Sequence, residues 1–188
     1  MKICAVVVVY FPDIGTLIDN IKAYSLYIDY LIIWENTPIN YRKNYSKYFD
    51  TLGVQYEILS TNNNEGISIA LNKAIIVAKN NGYTHILTMD QDSKWQNFLD
   101  YKNQIIKEEN DLIGLYAPLV FDKVRNQIGF NSSDYAITSG MIIPLRVFDK
   151  VGFFEEKYFI DAIDTEFSLR VRSHGLKIKI IDNAVLEQ

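Results

Sequence analysis

The chain has 188 residues, of which 48% are apolar and 22% are charged, a composition typical of one globular domain with a substantial core. Its formal net charge of −4 excludes the basic bias that a nucleic-acid partner requires. There is no apolar run of the roughly 18 residues that span a bilayer, no signal peptide after Met1 and no second cysteine to pair with Cys4, so we expect a cytoplasmic protein.

The first part of the chain alternates strand and helix patterns. The β-branched run from Ile3 to Tyr10 is typical of a strand buried on both faces of a parallel sheet. Apolar spacing predicts a helix from Thr16 to Tyr27 and a second strand from Tyr30 to Trp34, which completes one βαβ unit. A helix is predicted from about Tyr41 to Leu52, and a third strand from Val54 to Leu59.

A polar loop, a helix and a buried strand follow. The loop from Thr61 to Gly66 is rich in residues that tolerate turn geometry. The predicted helix runs from about Ile67 to Asn80 and is ended by Asn81-Gly82 in the manner of a C-cap. The strand from His85 to Met89 then brings Asp90 and its neighbours to a carboxyl end of the sheet, which is where ligands of open α/β sheets bind.

The remaining patterns complete one α/β domain, an α/β/α sandwich. Gly140 stands inside an apolar run, where a backbone can approach a ligand closely. The other predicted elements are a helix from Trp95 to Glu109, strands from Leu112 to Val120 and from Ile128 to Phe130, a short helix from Leu145 to Val151, a helix within Phe159 to His174, and a last strand from Ile178 to Ile181.

Asp90 and Asp92 lie two residues apart beyond a predicted strand, so an extended backbone points both carboxylates the same way. Hard oxygen ligands suit Mg²⁺ or Mn²⁺, held by one or two carboxylates together with substrate phosphates. Two acids at this spacing are also common on solvated turns. The residues alone therefore leave a metal site and an exposed turn as alternatives.

The segment from Tyr158 to Arg172 places three carboxylates and two arginines in an otherwise apolar helical stretch. Glu166 and Arg170 have the i,i+4 spacing of a helix-stabilising ion pair. A salt-bridged helix N-terminus explains the acids, because the helix dipole favours them there. A cleft in which one carboxylate is a general base supported by its neighbours explains them too.

Together and in this order, the patterns resemble the inverting family 2 glycosyltransferases of GT-A fold with a mostly parallel central sheet, and within them the bacterial rhamnosyltransferases. The resemblance extends over nearly the whole chain. The motifs that carry it are Val7-Val8-Val9-Tyr10, Trp34-Glu35-Asn36-Thr37, Asn64-Glu65-Gly66-Ile67 with Ala70 and Asn72, Met89-Asp90-Gln91-Asp92-Ser93, Thr138-Ser139-Gly140, and Phe159-Ile160-Asp161 to Arg170.

The resemblance implies a role for each motif. The implied nucleotide-binding residues are Val9, Tyr10, Phe11, Glu35, Asn64, Gly66 and Asp90, with Glu35 standing where relatives usually carry an aspartate. The remaining roles fall to Asp92 and Asp90 as metal ligands, Asp164 as catalytic base, Asp161 and Glu166 as supporting acids, and Ser139 and Gly140 beside the acceptor and donor sugar.

The activity that the resemblance implies is transfer of a sugar from a nucleotide diphosphate, dTDP-rhamnose or a UDP-sugar, to a saccharide or lipid-linked acceptor in bacterial cell-surface polysaccharide synthesis. Asp164 would take a proton from the acceptor hydroxyl as its oxygen attacks the anomeric carbon with inversion. Mg²⁺ or Mn²⁺ would offset the charge on the departing diphosphate.

Other interpretations stay open. A nucleotidyltransferase acting on sugar phosphates would also use a metal-bound carboxylate pair, although the chain has no Gly-rich phosphate loop near its start. A non-catalytic nucleotide-sugar-binding fragment is a further alternative. Because relatives usually continue past the position of Gln188, we expect residues 1–188 to be a catalytic domain without the C-terminal part.

One segment combines aromatic and basic residues. It is compatible with a partly buried amphipathic helix, with contact to a sugar, or with peripheral contact at the inner face of a membrane. The sequence does not specify an oligomeric state. The residues of this segment are Tyr41, Arg42, Lys43, Tyr45, Lys47, Tyr48 and Phe49.

Overall fold

The computed structural model describes residues 1–44, 46–129 and 131–188, so the predictions for Tyr45 and Phe130 lie outside the described residues. The helices and strands, in chain order, are β1 (Ile3–Val9), α1 (Ile14–Lys22), β2 (Tyr30–Glu35), α2 (Ser46–Phe49), β3 (Tyr56–Leu59), α3 (Gly66–Asn80), β4 (His85–Asp90), β5 (Lys94–Trp95), α4 (Phe98–Glu108), β6 (Ile113–Asp122), β7 (Gln127–Gly129), β8 (Ile142–Pro144), α5 (Val147–Val151), α6 (Ile163–Ser173) and β9 (Lys177–Glu187).

β1 lies inside the sheet between β2 and β4, where its β-branched residues are buried on both faces. Within the described residues the strand order is β3-β2-β1-β4-β8-β6-β9-β5, and β7 pairs with β6. The pairs β1–β2, β1–β4, β2–β3 and β6–β9 are parallel, whereas β8, β5 and β7 run antiparallel to their neighbours. The predicted α/β domain with a mostly parallel central sheet is confirmed.

Helices cover both faces of the sheet and create two apolar layers. Ala5 and Val7 of β1 enter the layer formed with α1 and α4, whereas Cys4 and Val6 enter the layer formed with α3, α5 and α6. All four side chains are at most 1% exposed. Burial of one aliphatic side chain stabilises a fold by roughly 1.5–3 kcal/mol, so β1 anchors both layers. Burial also raises the pKa of the Cys4 thiol to about 12, which agrees with its predicted structural role.

The helix predicted to begin at Trp95 begins instead at Phe98. Lys94 and Trp95 form β5, which pairs with Glu187 and Leu186 of β9. The predicted start of the helix was therefore wrong, because Trp95 pairs with a strand near the other end of the sequence and a local pattern does not indicate that pairing. The last strand is also longer than predicted, since β9 pairs with β6 along most of its length.

The helix predicted from Tyr41 to Leu52 is reduced to the four residues of α2 in the described part of the chain. Phe49 is buried in the core, whereas residues Tyr41 and Tyr48 are 66% and 46% exposed. No described helix is long and apolar enough to cross a bilayer. Membrane contact by this segment stays a prediction.

Candidate active site

A cavity of about 600 Å³ opens at the carboxyl edge of the parallel strands. This is the edge at which open α/β sheets bind ligands. Its walls come from the ends of β1 and β4, the start of α3, the loop before β8 and the first turn of α6. The residues that line it are Val8, Tyr10, Asn36, Asn64, Gly66, Ile67, Asp90, Gln91, Asp92, Ile137, Thr138, Phe159, Ile160, Asp164 and Gln188.

Gln91 fixes the conformation between Asp90 and Asp92. Its side-chain oxygen accepts the Tyr10 N–H at 2.9 Å, and its side-chain nitrogen donates to the Tyr10 carbonyl at 3.1 Å. Asn20 Nδ2 also donates to the Gln91 carbonyl at 3.1 Å. The two bonds to Tyr10 join the chain after β4 to the chain after β1, and the bond from Asn20 joins it to α1. Asp90 and Asp92, on either side of Gln91, both line the cavity.

The Asp90 carboxyl group lies among other acids. Burial, and then the charges of Asp92 and Asp164, raise its pKa to about 7. Its Oδ2 accepts a weak hydrogen bond from Gln188 Nε2 at 3.4 Å. The described residues that line the cavity include no lysine or arginine to neutralise these carboxylates.

A divalent cation fits this group of acids, because it would relieve the repulsion that raises the pKa of Asp90. Carboxylate oxygens suit Mg²⁺ and Mn²⁺, and Mg²⁺ in particular is usually bound through one or two carboxylates together with substrate phosphates. The described residues contain no group of three or more His, Cys, Asp or Glu placed to enclose a metal ion. Asp90 and Asp92 would therefore hold an ion only together with oxygens of a ligand.

Asp164 reaches the same cavity from the first turn of α6. The helix follows Ala162, a non-glycine residue with a left-handed φ of 66°. Both carboxylate oxygens of Asp164 accept a hydrogen bond, Oδ1 from the Thr165 N–H at 2.8 Å and Oδ2 from the Tyr135 hydroxyl at 2.8 Å. The structure thus brings Asp164 to the cavity that Asp90 lines, as the resemblance predicts.

The predicted supporting acids, Asp161 and Glu166, are not among the residues that line the cavity. Glu166 forms a bidentate ion pair with Arg170, at 2.6 and 2.7 Å, and Arg170 Nη1 donates to the Val151 carbonyl at 2.7 Å. Glu166 therefore stabilises α6 and, through Arg170, joins it to α5. The predicted i,i+4 ion pair is confirmed. Asp161 is exposed in the turn before α6.

Asn64 and Gly66 shape the loop that opens α3. Asn64 Oδ1 accepts the Gly66 N–H at 3.0 Å, and the Gly66 carbonyl accepts from Asn36 Nδ2 at 3.0 Å. Gly66 has a φ of +84°, and a Cβ built on it would lie 2.5 Å from the carbonyl oxygen of Phe159. That oxygen accepts the Ile67 N–H at 2.8 Å. Only glycine fits at position 66. The loop before α6 therefore packs directly against the first turn of α3.

A second cavity, of about 330 Å³, opens beside the first, since Tyr10 lines one and Phe11 lines the other. The rings of Phe11 and Tyr41 stand 5.9 Å apart on its wall. Glu35 lines its inner side, is 2% exposed, and accepts the Thr37 N–H at 2.7 Å through Oε1. Glu35 and Phe11 therefore belong to a pocket separate from the three aspartates.

Three residues predicted to contact ligands are buried and line neither cavity. Val9 and Ser139 are 0% exposed and Gly140 is buried. Ser139 Oγ accepts the Asp90 N–H at 3.1 Å and donates to Ser93 Oγ at 2.8 Å, so it supports the backbone of Asp90. The structure buries these three residues, and their contact with a nucleotide or sugar stays a prediction.

Sequence reasoning missed three residues in the segment before β8. Ile137 and Thr138 line the larger cavity where Ser139 and Gly140 were predicted to do so. Tyr135 holds Asp164 from a position 29 residues earlier in the chain. No spacing rule connects residues so far apart, and a tyrosine beside an apolar run is the one signal that the sequence offers.

No protein-family model matches the chain. Its structure is similar over its whole length to the mannosyltransferase PcManGT from Pyrobaculum calidifontis in complex with GDP-Man and Mn²⁺, with a TM-score of 0.78, 10% identity and 56% of that chain covered. GalNAc-T7 with UDP, GalNAc and Mn²⁺ gives a TM-score of 0.74 at 12% identity, with 100% and 44% of the two chains covered. S. aureus TarS 1-349 with UDP-GlcNAc gives 0.71 at 13% identity, with 100% and 59% covered. The chain therefore has the GT-A fold of glycosyltransferases.

The sequence is similar to a curated protein of that class. The dTDP-rhamnosyl transferase RfbF of Shigella flexneri is 27% identical over 211 aligned positions, which cover 96% of this chain and 66% of that protein. The chain spans about two thirds of the length of this relative. The resemblance to rhamnosyltransferases of GT-A fold, predicted from the motifs, is confirmed.

Proposed function

We propose that this chain is the catalytic domain of an inverting glycosyltransferase, which transfers a sugar from a nucleotide diphosphate to a saccharide or lipid-linked acceptor in cell-surface polysaccharide synthesis. The observation that carries the proposal is that Asp90, Asp92 and Asp164 line one cavity at the carboxyl edge of a GT-A sheet. Because the 27% identical relative is a dTDP-rhamnosyl transferase, the proposed donor is dTDP-rhamnose.

The nucleoside of the donor would occupy the smaller cavity. The exposed rings of Phe11 and Tyr41 offer apolar faces on which a base can stack. The Glu35 carboxylate, which lines the inner side, can accept an N–H from the base edge. The diphosphate would then extend past Tyr10 toward Asp90 in the larger cavity.

Asp90 and Asp92 would hold Mg²⁺ or Mn²⁺ together with the diphosphate oxygens. The bound ion would offset the negative charge that develops on the leaving diphosphate. Two structurally similar glycosyltransferases were solved with Mn²⁺, which supports a divalent metal in this site. Gln91 contributes by holding the two aspartates at the cavity through its bonds to Tyr10.

Asp164 would act as the general base. Each of its oxygens accepts one hydrogen bond from the protein, and each has a second lone-pair direction with which to accept a proton from the acceptor hydroxyl. The acceptor oxygen forms a bond to the anomeric carbon as the bond from that carbon to the diphosphate oxygen breaks. The configuration inverts, and no covalent enzyme intermediate is formed.

Two measurements test this function. Calorimetry with dTDP, UDP and GDP, each with Mn²⁺ and with EDTA, should show metal-dependent binding that is tightest for dTDP. Incubation with dTDP-rhamnose and a set of octyl glycosides should give products whose anomeric configuration, read by NMR, is opposite to that of the donor. Absence of nucleotide binding, or a product with retained configuration, would contradict the proposal.

The Asp164→Asn variant tests the assignment of the base. It should keep donor affinity, since Asn has nearly the same size, and should lose transfer by roughly 10²–10⁴-fold because the proton acceptor is gone. Wild-type turnover in this variant would show that another group takes the proton.

A further inference from the structure

A tyrosine in the loop before β8 holds the proposed general base from outside its own helix. The Tyr135 hydroxyl donates to Asp164 Oδ2 at 2.8 Å. Burial, together with the hydrogen bond to Asp164 and its charge, raises the pKa of the Tyr135 phenol, so the phenol keeps its proton at neutral pH and remains a donor. Tyr135 does not line the cavity, so its hydroxyl contacts Asp164 on the side of the carboxylate that faces the protein.

The loop that carries Tyr135 is itself bonded to α6. The Ala136 N–H donates to Ser168 Oγ at 3.2 Å, and the Ser168 hydroxyl is 3.4 Å from the Ala136 carbonyl. Ser168 is 0% exposed and stands four residues after Asp164, on the same face of the helix. Contacts on consecutive turns therefore fix the loop relative to α6 before a ligand binds.

We propose that Tyr135 is a positioning residue, which orients the Asp164 carboxylate so that its remaining lone pairs face the acceptor hydroxyl. The inference rests on the proposed function. Without the phenol, one oxygen of Asp164 loses its partner and the carboxylate gains rotational freedom about its side-chain bonds. Misplacing a catalytic group by about 1 Å lowers rates by on the order of 10²-fold.

The test is a double-mutant cycle in the transfer assay with dTDP-rhamnose and octyl glycosides. Tyr135→Phe should lower kcat by about 10- to 100-fold and leave KM for donor and acceptor within about twofold, because the phenol acts on the base and touches neither substrate. In the Asp164→Asn background the same substitution should cause no further loss. The matched control is Tyr83→Phe, which removes a phenol hydroxyl that does not line the cavity.

The outcomes separate the two proposals. If the wild-type chain transfers no sugar, or if Asp164→Asn keeps wild-type turnover, the proposed function fails. If Asp164→Asn is inactive while Tyr135→Phe keeps full kcat, or lowers it equally in both backgrounds, Tyr135 has no positioning role. If Tyr135→Phe does not fold, Ser168→Ala takes its place, since it loosens the loop but retains the phenol. A selective loss of kcat with Ser168→Ala supports the proposal, and an unchanged kcat overturns it.

Discussion

At the scale of single residues, the proposed metal site depends on two carboxylates of the larger cavity. Asp92 is exposed on the cavity wall and would supply one of the two proposed protein ligands to a cation. We therefore expect Asp92→Ala to weaken Mn²⁺-dependent binding of dTDP by at least about tenfold and to leave metal-free binding almost unchanged. Calorimetry with Mn²⁺ and with EDTA checks this, with Asp100→Asn, an exposed acid on α4, as the control. Equal Mn²⁺-dependent affinity in Asp92→Ala would contradict the metal role.

The raised pKa of Asp90 makes the stability of the metal-free chain depend on pH. This carboxyl ionises near 3.8 in an unfolded chain and near 7 in the fold. Between these values the folded chain binds the extra proton, so the free energy of unfolding falls as pH rises from about 4 to about 7. Below this window the carboxyl is protonated in both states and has no effect. Above the window the full destabilisation is present.

Asp90→Asn should therefore be more stable than the parent chain at pH 8 in EDTA, by on the order of 1–3 kcal/mol, and about equally stable at pH 4. Denaturant unfolding at the two pH values measures this difference. Mn²⁺ with dTDP should stabilise the parent and not the variant. A variant that is less stable than the parent at pH 8 would show that the ionised Asp90 carboxylate does not destabilise the fold.

The site could be predicted only in part at this scale. Asp90, Asp92 and Asp164 were predicted because they stand in motifs beside a strand end and a helix start. The burial of Ser139 and its hydrogen bond to the Asp90 N–H could not be predicted, since both depend on how the loop packs. Tyr135 was missed for the same reason, because its bond to Asp164 is formed only in the fold.

At the scale of elements, the start of α3 and the loop before α6 form one packed unit. Gly66→Ala would place a Cβ 2.5 Å from the Phe159 carbonyl at a φ of +84°, whereas Gly82→Ala at +74° meets nothing within 4 Å. Both variants carry the conformational cost of a left-handed residue, on the order of 1–2 kcal/mol. Gly66→Ala should cost several kcal/mol in all, because the loop must move away.

Thermal or denaturant unfolding of the two alanine variants separates the contact from the backbone conformation. Gly66→Ala should also weaken dTDP binding, since Asn64 and Ile67 on either side line the cavity, and Gly82→Ala should not. Equal stability of the two variants would mean that the loop yields to the added methyl group without cost.

The elements that could be predicted are those whose own residues determine their structure. β1 is a continuous apolar run, β2 and β4 are mostly apolar and buried, and α3 ends at the predicted Asn81-Gly82, where Gly82 has a φ of +74°. β5 could not be predicted, because Lys94 and Trp95 become a strand only through pairing with β9. The antiparallel insertion of β8 between β4 and β6 likewise depends on the whole sheet.

At the scale of the whole molecule, both cavities lie at one edge of the sheet. Ligand binding should therefore protect backbone amides from hydrogen exchange at that edge and not at the opposite one. Saturating dTDP with Mn²⁺ at about 100 times Kd should raise the free energy of unfolding by about 2.7 kcal/mol. Hydrogen exchange should slow in residues 10–13, 35–37, 64–67 and 90–93 and should be unchanged in residues 81–85. Uniform slowing throughout the chain would argue against a localised site.

The hydrogen bond from the Ile67 N–H on α3 to the Phe159 carbonyl also limits which segments can be exchanged between chains of this fold. Asn64 and Gly66 belong to the proposed donor side, and the loop from Tyr158 to Asp164 leads to the proposed base on the acceptor side. Ser68 Oγ donates to the Tyr158 carbonyl at 2.7 Å beside the Ile67–Phe159 bond. A chimaera that takes its acceptor side from a relative should therefore carry that relative's residues 64–68 as well, because one side-chain and one main-chain hydrogen bond join these two segments.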